Sequence, residues 1–165
     1  MFVLRKSVPV ALDAIPDPKL ADLFAYWRRQ CRDRPLPARA DMKPADMFAS
    51  IGRLHLLDVE GRGAYRYRIY ASGVTNPDRL EMGGRTTQDY PDKGFAAFVT
   101  GHLAEAHDAA APTCYAIDAE VDGKAYRYIR LILPLGAGGA VTHFLAGTQR
   151  IEVDASLHRD PLGTS

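Results

Sequence analysis

The hydrophobic positions near the start of the chain have the spacing of an amphipathic helix. Pro18 follows Asp17, and an aspartate before a proline is typical of a helix N-cap and its first helical position. The segment 34–37 carries two prolines, which end helices. The sequence therefore predicts a leading helix between these signals, with one apolar face formed by Leu20, Leu23, Phe24 and Trp27.

Beyond residue 53 the pattern changes to the alternation of β-strands. Residues 54–59 and 64–72 predict two strands joined by a glycine-containing turn. After a segment rich in Gly, Pro, Asn and Asp, an apolar stripe predicts a long helix from about Lys93 to Ala109. Three more strands are predicted at 113–121, 125–135 and 141–151.

These elements predict one domain between two less patterned ends. Residues 1–17 contain two prolines and no clear period, so they predict an N-terminal arm. Residues 18–151 predict the domain with its leading helix, and residues 152–165 predict a polar tail. A chain of 165 residues is long enough to bury a core without disulfide or metal staples.

Charge, hydropathy and cysteine content indicate which partners and which compartment to expect. The 21 basic and 20 acidic residues give a net charge of +1, so we expect no nucleic-acid partner. The apolar segment 131–141 is interrupted by Pro134 and three glycines, so no membrane insertion is expected, and the N-terminus lacks the charge order of a signal peptide. Cys31 and Cys114 are expected to be reduced thiols of a cytoplasmic protein.

A set of short motifs runs through residues 18–151. In order, they are Leu23-Phe24-Ala25-Tyr26-Trp27, Leu36-Pro37-Ala38-Arg39-Ala40-Asp41, Pro44, Tyr65-Arg66-Tyr67-Arg68-Ile69, Gly84-Arg85, Asp89 and Tyr126-Arg127-Tyr128. As a set they resemble a family of small stand-alone bacterial PAS domain proteins of the alphaproteobacterial type. The sequence departs from that family after the second strand, where Ala71-Ser72-Gly73 stands in place of the usual Gly-Thr pair.

The resemblance implies an α+β fold, PAS-like, with a five-stranded antiparallel sheet in the order 2-1-5-4-3. The long helix would cross one face of the sheet. The added N-terminal helix would cover the other face or pair with a second subunit. The resemblance also implies a non-catalytic sensory or regulatory module that binds an unknown small molecule between sheet and long helix and signals to a separate protein. A homodimer is expected as well.

Two other functions stay open from the sequence. The first is a ligand-free PAS module that serves only for interaction or dimerisation. The second is a small enzyme on the same scaffold, which would require a convergent acid and base. The nearest acidic cluster is evenly spaced along one strand, which favours a solvated face over a catalytic one: Asp118, Glu120 and Asp122.

The fold analogy and the periodicity together indicate the pocket wall. The long helix would contribute Phe95, Phe98, Val99 and His102, and the sheet would contribute Tyr67, Ile69, Tyr128 and Arg130. An inward arginine beside a tyrosine suits a carboxylate or phosphate ligand. Strand alternation keeps the arginines of these strands from all facing one pocket, and solvated arginines covering a sheet edge are the alternative.

Histidines raise the question of a cofactor. In some haem-binding PAS domains a histidine on the long helix is the axial iron ligand, which makes His102 a candidate for haem. No second signal supports haem, and a partly buried histidine bonded to a neighbour is the expected state. His55 and His143 lie on strands that would be adjacent, but without an acidic or cysteine partner they predict no metal site. The cofactor, if any, is left unknown.

Overall fold

The computed structural model describes residues 1–151, in which an antiparallel sheet carries one helix on each face. The helices are α1 (Pro18–Cys31) and α2 (Lys93–Ala109), and short 3₁₀ turns occupy Leu12–Ala14, Arg39–Asp41, Pro44–Arg53 and Thr87–Asp89. The strands are β1 (Phe2–Pro9), β2 (Leu54–Gly61), β3 (Ala64–Ile69), β4 (Thr113–Val121), β5 (Lys124–Ala137) and β6 (Ala140–Arg150). The predicted tail at 152–165 lies outside the described residues.

The sheet has six strands, in the order β1-β4-β5-β6-β2-β3, and every neighbouring pair is antiparallel. Without β1, this order is the predicted 2-1-5-4-3. The expectation of five strands is therefore corrected to six, because residues 2–9 of the predicted arm pair with β4. Most side chains of β1 are exposed, as at a sheet edge, so its sequence lacks the apolar alternation that reveals a strand.

Helix α1 covers the outer face of the sheet. Asp17 caps the helix, because its carboxylate accepts a hydrogen bond from the backbone N–H of Leu20 at 2.9 Å. The indole N–H of Trp27 donates to the carbonyl of Pro134 in β5 at 2.8 Å. The apolar face predicted for this helix is buried: Leu20, Leu23, Phe24 and Trp27. Of the two predicted roles for this face, the structure shows packing against the chain's own sheet.

Helix α2 crosses the inner face of the sheet, and its start lies beside the start of β1. One carboxylate oxygen of Asp92 accepts from the backbone N–H of Phe95 at 3.1 Å and caps α2. The other oxygen accepts from the backbone N–H of Phe2 at 2.6 Å. Asp92 therefore fixes the start of α2 and the start of β1 to each other. The predicted helix bounds are confirmed.

The turn between β4 and β5 has the two-residue form that is typical of an Asp-Gly hairpin. Asp122 has φ 50° and Gly123 has φ 80°, the positive values that such hairpin turns require. None of the helices within residues 1–151 is both long and apolar enough to cross a membrane.

Candidate functional site

A cavity of about 790 Å³ lies between the inner face of the sheet and α2. Val99 and Leu103 of α2 form one wall, and Leu57 and Ile132 of the sheet form the opposite wall. Phe2 of β1 closes one side. Cavities that hold small molecules are typically about 300–1,000 Å³ and mostly apolar with a few polar groups, and this cavity has that character.

The structure brings most of the predicted pocket residues together. The cavity lining includes Tyr67, Phe95, Val99, Tyr128 and Arg130. The other three predicted residues, Ile69, Phe98 and His102, are not part of the lining.

Ile69 points away from the cavity because β3 contains a bulge. Leu56 of β2 pairs with Ile69 while the next residue, Leu57, pairs with Tyr67, so one extra residue stands in β3 between them. Such an insertion reverses the inward and outward alternation beyond it. Ile69 is 53% exposed as a result, and its prediction as a wall residue is corrected.

Phe98 and His102 form a layer behind the cavity, toward β1 and β4. Phe98 stacks on Phe2 with ring centroids 5.5 Å apart. His102 stacks on Tyr115 of β4 at 4.2 Å. Both contact Arg130, so they support the wall rather than face the void.

Arg130 is the cation at the inner end of the cavity. It is only 8% exposed. Its guanidinium donates to Nδ1 of His102 at 3.3 Å and to the hydroxyl of Tyr128 at 3.5 Å. The aromatic rings of Phe98 and Tyr128 flank it, with centroids 5.3 Å and 5.5 Å from the guanidinium carbon. Among residues 1–151, no carboxylate lies within 4.0 Å of this side chain.

The contact with Arg130 defines the protonation state of His102. Arginine can only donate, so Nδ1 of His102 accepts and the neutral ring carries its proton on Nε2, which lies 3.4 Å from the hydroxyl of Ser7. Burial and then the charge of Arg130 lower the pKa of His102 to about 4. Both ring nitrogens are thus engaged behind the wall, and His102 does not fit the role of a haem ligand.

His55 of β2 supplies a second polar group to the cavity, which the sequence analysis did not assign to the pocket. Its Nδ1 accepts from the backbone N–H of Ala71 at 2.9 Å, so the neutral ring carries its proton on Nε2. Within residues 1–151, no acceptor is bonded to that Nε2–H. Burial and then the charge of Arg130 lower the pKa of His55 to about 3. In the sequence, the two-residue spacing of His55 from Leu57 indicates that both side chains point to the same face of the strand.

The two strand histidines do not converge. His55 faces the cavity, whereas His143 pairs with Asp58 across the opposite face, with Nε2 and the carboxylate 3.3 Å apart. No cluster of three or more histidine, cysteine or acidic side chains with metal-binding geometry occurs in the part of the chain that the structure describes.

A tyrosine network lines the wall next to His55. The hydroxyls of Tyr67 and Tyr90 are 2.8 Å apart, and that of Tyr90 donates to Tyr70 at 3.4 Å. Asn76 donates to the Tyr70 hydroxyl at 2.9 Å, and its carbonyl oxygen accepts from the backbone N–H of Leu80 at 3.2 Å. Burial raises the pKa of Tyr67. The network therefore holds the loop after β3 against the cavity.

The sequence departs from the family pattern at Ala71-Ser72-Gly73, and Ser72 and Gly73 of this segment line the cavity. The backbone N–H of Gly73 donates to the carbonyl of Gly52 at 2.8 Å. A Cβ at residue 73 would lie 2.6 Å from that carbonyl oxygen, so the close approach requires glycine.

The acidic cluster on β4 is paired with cations. Asp118 lies 3.4 Å from Arg127, and Glu120 lies 2.8 Å from Arg5. Asp122 pairs with the amino group of Met1 and is the single acidic residue among the described residues that line the cavity. Asp118 and Glu120 lie on the solvated strand face that their spacing predicts, whereas Asp122 lies in the turn after β4, which corrects its placement on that face.

The comparison with family models agrees with this architecture. Residues 16–146 match the model of a PAS domain family, so the chain belongs to that family. No curated protein and no solved structure shows significant similarity to the chain.

Proposed function

We propose that this PAS domain is a non-catalytic sensory or regulatory module that binds a small molecule in the cavity between the sheet and α2. The cavity of about 790 Å³ is the observation that carries the proposal. Ligand occupancy would be reported to a separate signalling protein through the domain surface. The proposed compartment is the cytoplasm, where the free thiols of Cys31 and Cys114 would stay reduced.

Two features favour this function over the alternatives. A ligand-free interaction module needs no interior space, so a cavity of this size supports ligand binding. An enzyme needs a positioned acid or base with access to the substrate. The acidic residue at the cavity, Asp122, is an exposed turn residue paired with an amino group, and the lowered pKa of His55 leaves it a weak base near neutral pH.

Native mass spectrometry of the purified protein, with its absorption spectrum, tests the proposal. We expect a non-covalent mass excess over the 18.1 kDa chain, or thermal stabilisation by members of a metabolite library where the ligand exchanges rapidly. A bare chain that no library compound stabilises would contradict the proposal.

A cavity-filling variant shows whether the ligand occupies this site. Val99→Phe adds a ring inside the cavity, and Ala97→Phe adds the same ring on the exposed side of α2. We expect Val99→Phe to abolish the mass excess or the stabilisation and Ala97→Phe to retain it. Equal binding by both variants would place the ligand elsewhere.

A further inference from the structure

We propose that the ligand is a small organic carboxylate with an apolar body, whose carboxylate binds between Arg130 and His55. The inference rests on the proposed function and names the chemical class of the ligand for the same cavity. Four observations carry it: the solvation of Arg130, the position of His55, the shape of the floor between them, and the charge along the cavity.

Among residues 1–151, Arg130 has no acidic partner of the kind that a buried cation requires. Removing a charge from water costs several kcal/mol unless an opposite charge or well-formed hydrogen bonds replace the water. Of the five N–H donors of the guanidinium, two reach neutral groups at 3.3 Å and 3.5 Å, and three have no acceptor among residues 1–151. A carboxylate accepts two parallel N–H bonds from this planar group and would supply the missing charge.

His55 is placed to donate to the same group. The bond from Ala71 to Nδ1 fixes its ring, so that the Nε2 proton is the one left to donate into the cavity. A neutral N–H donor adds a hydrogen bond to an anion without adding charge. The charge of Arg130 contributes to the lowered pKa of His55, which agrees with the two side chains sharing one end of the cavity.

Small side chains leave room between these two donors. Strand β6 lies between His55 of β2 and Arg130 of β5. On β6, Ala146 is the residue paired with His55, and Thr148, two residues further along, is the residue paired with Arg130. Ala146 and Thr148 therefore form a low floor between His55 and Arg130. A head group of two oxygen atoms fits above this floor, where a longer side chain would fill the space.

The charge along the cavity favours one negative group with an apolar body. Arg130 is the one buried cation among the lining residues that the structure describes. Its single positive charge would neutralise a ligand group with one negative charge better than a group with two. Phe95, Val99 and Leu103 form an apolar wall for the rest of the ligand. Arg79, Lys124 and Arg150 are exposed and Arg53 is half-buried. These four cations also line the cavity, where their charge would attract anions.

The test compares carboxylates with matched alcohols by calorimetry on the full chain. The probes are octanoate with octan-1-ol, 3-phenylpropionate with 3-phenylpropan-1-ol, and inorganic phosphate. We expect at least one carboxylate to bind about tenfold or more tightly than its alcohol, because a charge-assisted hydrogen bond is stronger than a neutral one, and a factor of ten corresponds to about 1.4 kcal/mol. Phosphate is expected to bind more weakly than that carboxylate.

Variants assign the preference to Arg130. Arg130→Met keeps the length of the side chain without its charge, and Arg130→Lys keeps the charge without the planar group. We expect Arg130→Met to bind acid and alcohol equally and Arg130→Lys to keep a reduced preference. Arg127→Met on the outer side of the same strand is the control and should keep the full preference. Thermal unfolding of each variant verifies folding, and Arg130→Lys carries the test if Arg130→Met does not fold.

The outcomes separate this inference from the proposed function. If alcohols bind as tightly as carboxylates, or if phosphate binds best, the inference is overturned while ligand binding in the cavity stands. If no probe binds, the inference is also overturned, and the native mass and the metabolite library decide the proposed function separately. An unchanged preference in a folded Arg130→Met variant would overturn the role of Arg130.

Discussion

The guanidinium of Arg130 lies 3.3 Å from Nδ1 of His102, and this contact joins the cavity to the edge of the sheet. On its other side, Nε2 of His102 reaches the hydroxyl of Ser7 in β1 at 3.4 Å. Arg130 is therefore connected through His102 to Ser7 of the edge strand β1. A group that binds Arg130 from within the cavity would act on this chain of contacts.

Removing the charge of Arg130 should raise the pKa of His102. Burial is the larger cause of the lowered pKa, so in Arg130→Met we expect the pKa to rise from about 4 but to stay below its ordinary value of 6.5. Titration of the histidine ring signals by NMR measures this shift. Arg127→Met should leave the pKa of His102 unchanged, and an identical pKa in Arg130→Met would contradict the contact.

The two buried histidines should make the fold less stable in mild acid. Their pKa values are lower in the folded state, so between pH 6.5 and about 4 the unfolded chain binds more protons than the folded chain. The contribution of these neutral rings to the free energy of unfolding is complete above pH 6.5, and it is lost as the pH falls toward the pKa values of the folded state. From pH 7.5 to 5.5 we expect a loss of about 1 kcal/mol per histidine in urea unfolding.

A histidine variant isolates this effect. His55→Gln should lose less stability than the unmodified protein over the same pH change, because one titrating group is removed. His143→Gln is the comparison, since Asp58 opposes the lowering of the pKa of His143, which should make its contribution smaller. Equal pH dependence in His55→Gln and the unmodified protein would show that His55 is not buried as a neutral ring.

The apolar face of α1 should contribute stability within the chain. Leu23 is 4% exposed against the sheet, so Leu23→Ala is expected to lower the free energy of unfolding by about 2–5 kcal/mol. Asp22→Ala, at an exposed position of the same helix, should change it by less than about 0.5 kcal/mol. The expected homodimer would have to use another surface, so Leu23→Ala should elute at the same size as the unmodified protein. Loss of a dimer without loss of stability would contradict the packing.

Replacing two glycines by alanine should change the free energy of unfolding in opposite directions. A Cβ at Gly147 would lie 2.8 Å from a methyl of Leu20, so Gly147→Ala is expected to destabilise by about 1–3 kcal/mol. A Cβ at Gly101 in the middle of α2 meets nothing within 4 Å, so Gly101→Ala should stabilise by about 0.5–1 kcal/mol. Urea unfolding measures both, and a neutral Gly147→Ala would show that the Leu20 side chain can move aside at little cost.

Because Asp92 accepts hydrogen bonds from two backbone N–H groups, its replacement should lower the free energy of unfolding more than the replacement of an ordinary helix cap. Asp92→Ala removes acceptors from Phe95 and from Phe2, whereas Asp17→Ala removes one acceptor from Leu20. We expect Asp17→Ala to cost about 1 kcal/mol and Asp92→Ala to cost clearly more. Hydrogen exchange should also show faster exchange of the Phe2 amide in Asp92→Ala. Equal losses would mean that β1 does not depend on this carboxylate.

The parts of the fold that local patterns encode could be predicted from the sequence. Asp17 acts as the cap that its position before Pro18 indicates, and α2 has the bounds that its apolar stripe predicts. The Asp-Gly turn at Asp122 and Gly123 has the positive φ values that are typical of two-residue hairpins. These features depend on residues close in the chain, so a short window of sequence contains their cause.

The errors have longer-range causes. Strand β1 exists because β4 offers an edge more than 100 residues away, which no local pattern reports. The position of Ile69 depends on a register shift between β2 and β3. His55 has the alternation of an inward residue, but the orientation of its ring in the cavity depends on Ala71, which lies in the loop after β3, and its lowered pKa depends on burial and on Arg130 of β5. The residues proposed to bind the ligand remain predictions.

The pairing of β1 with β4 also sets the order in which the domain can be completed during synthesis. Phe2 forms part of the cavity, but its strand has no partner until Tyr115–Val121 have left the ribosome. Bringing such distant segments together is a slow, entropically costly step, and domains emerge from the ribosome with their N-terminal segments first. Strand β1 therefore reaches its final place only after residues more than 100 positions later have been made, and the cavity can close only after Thr148 and Arg150 of β6, which belong to its lining, have followed.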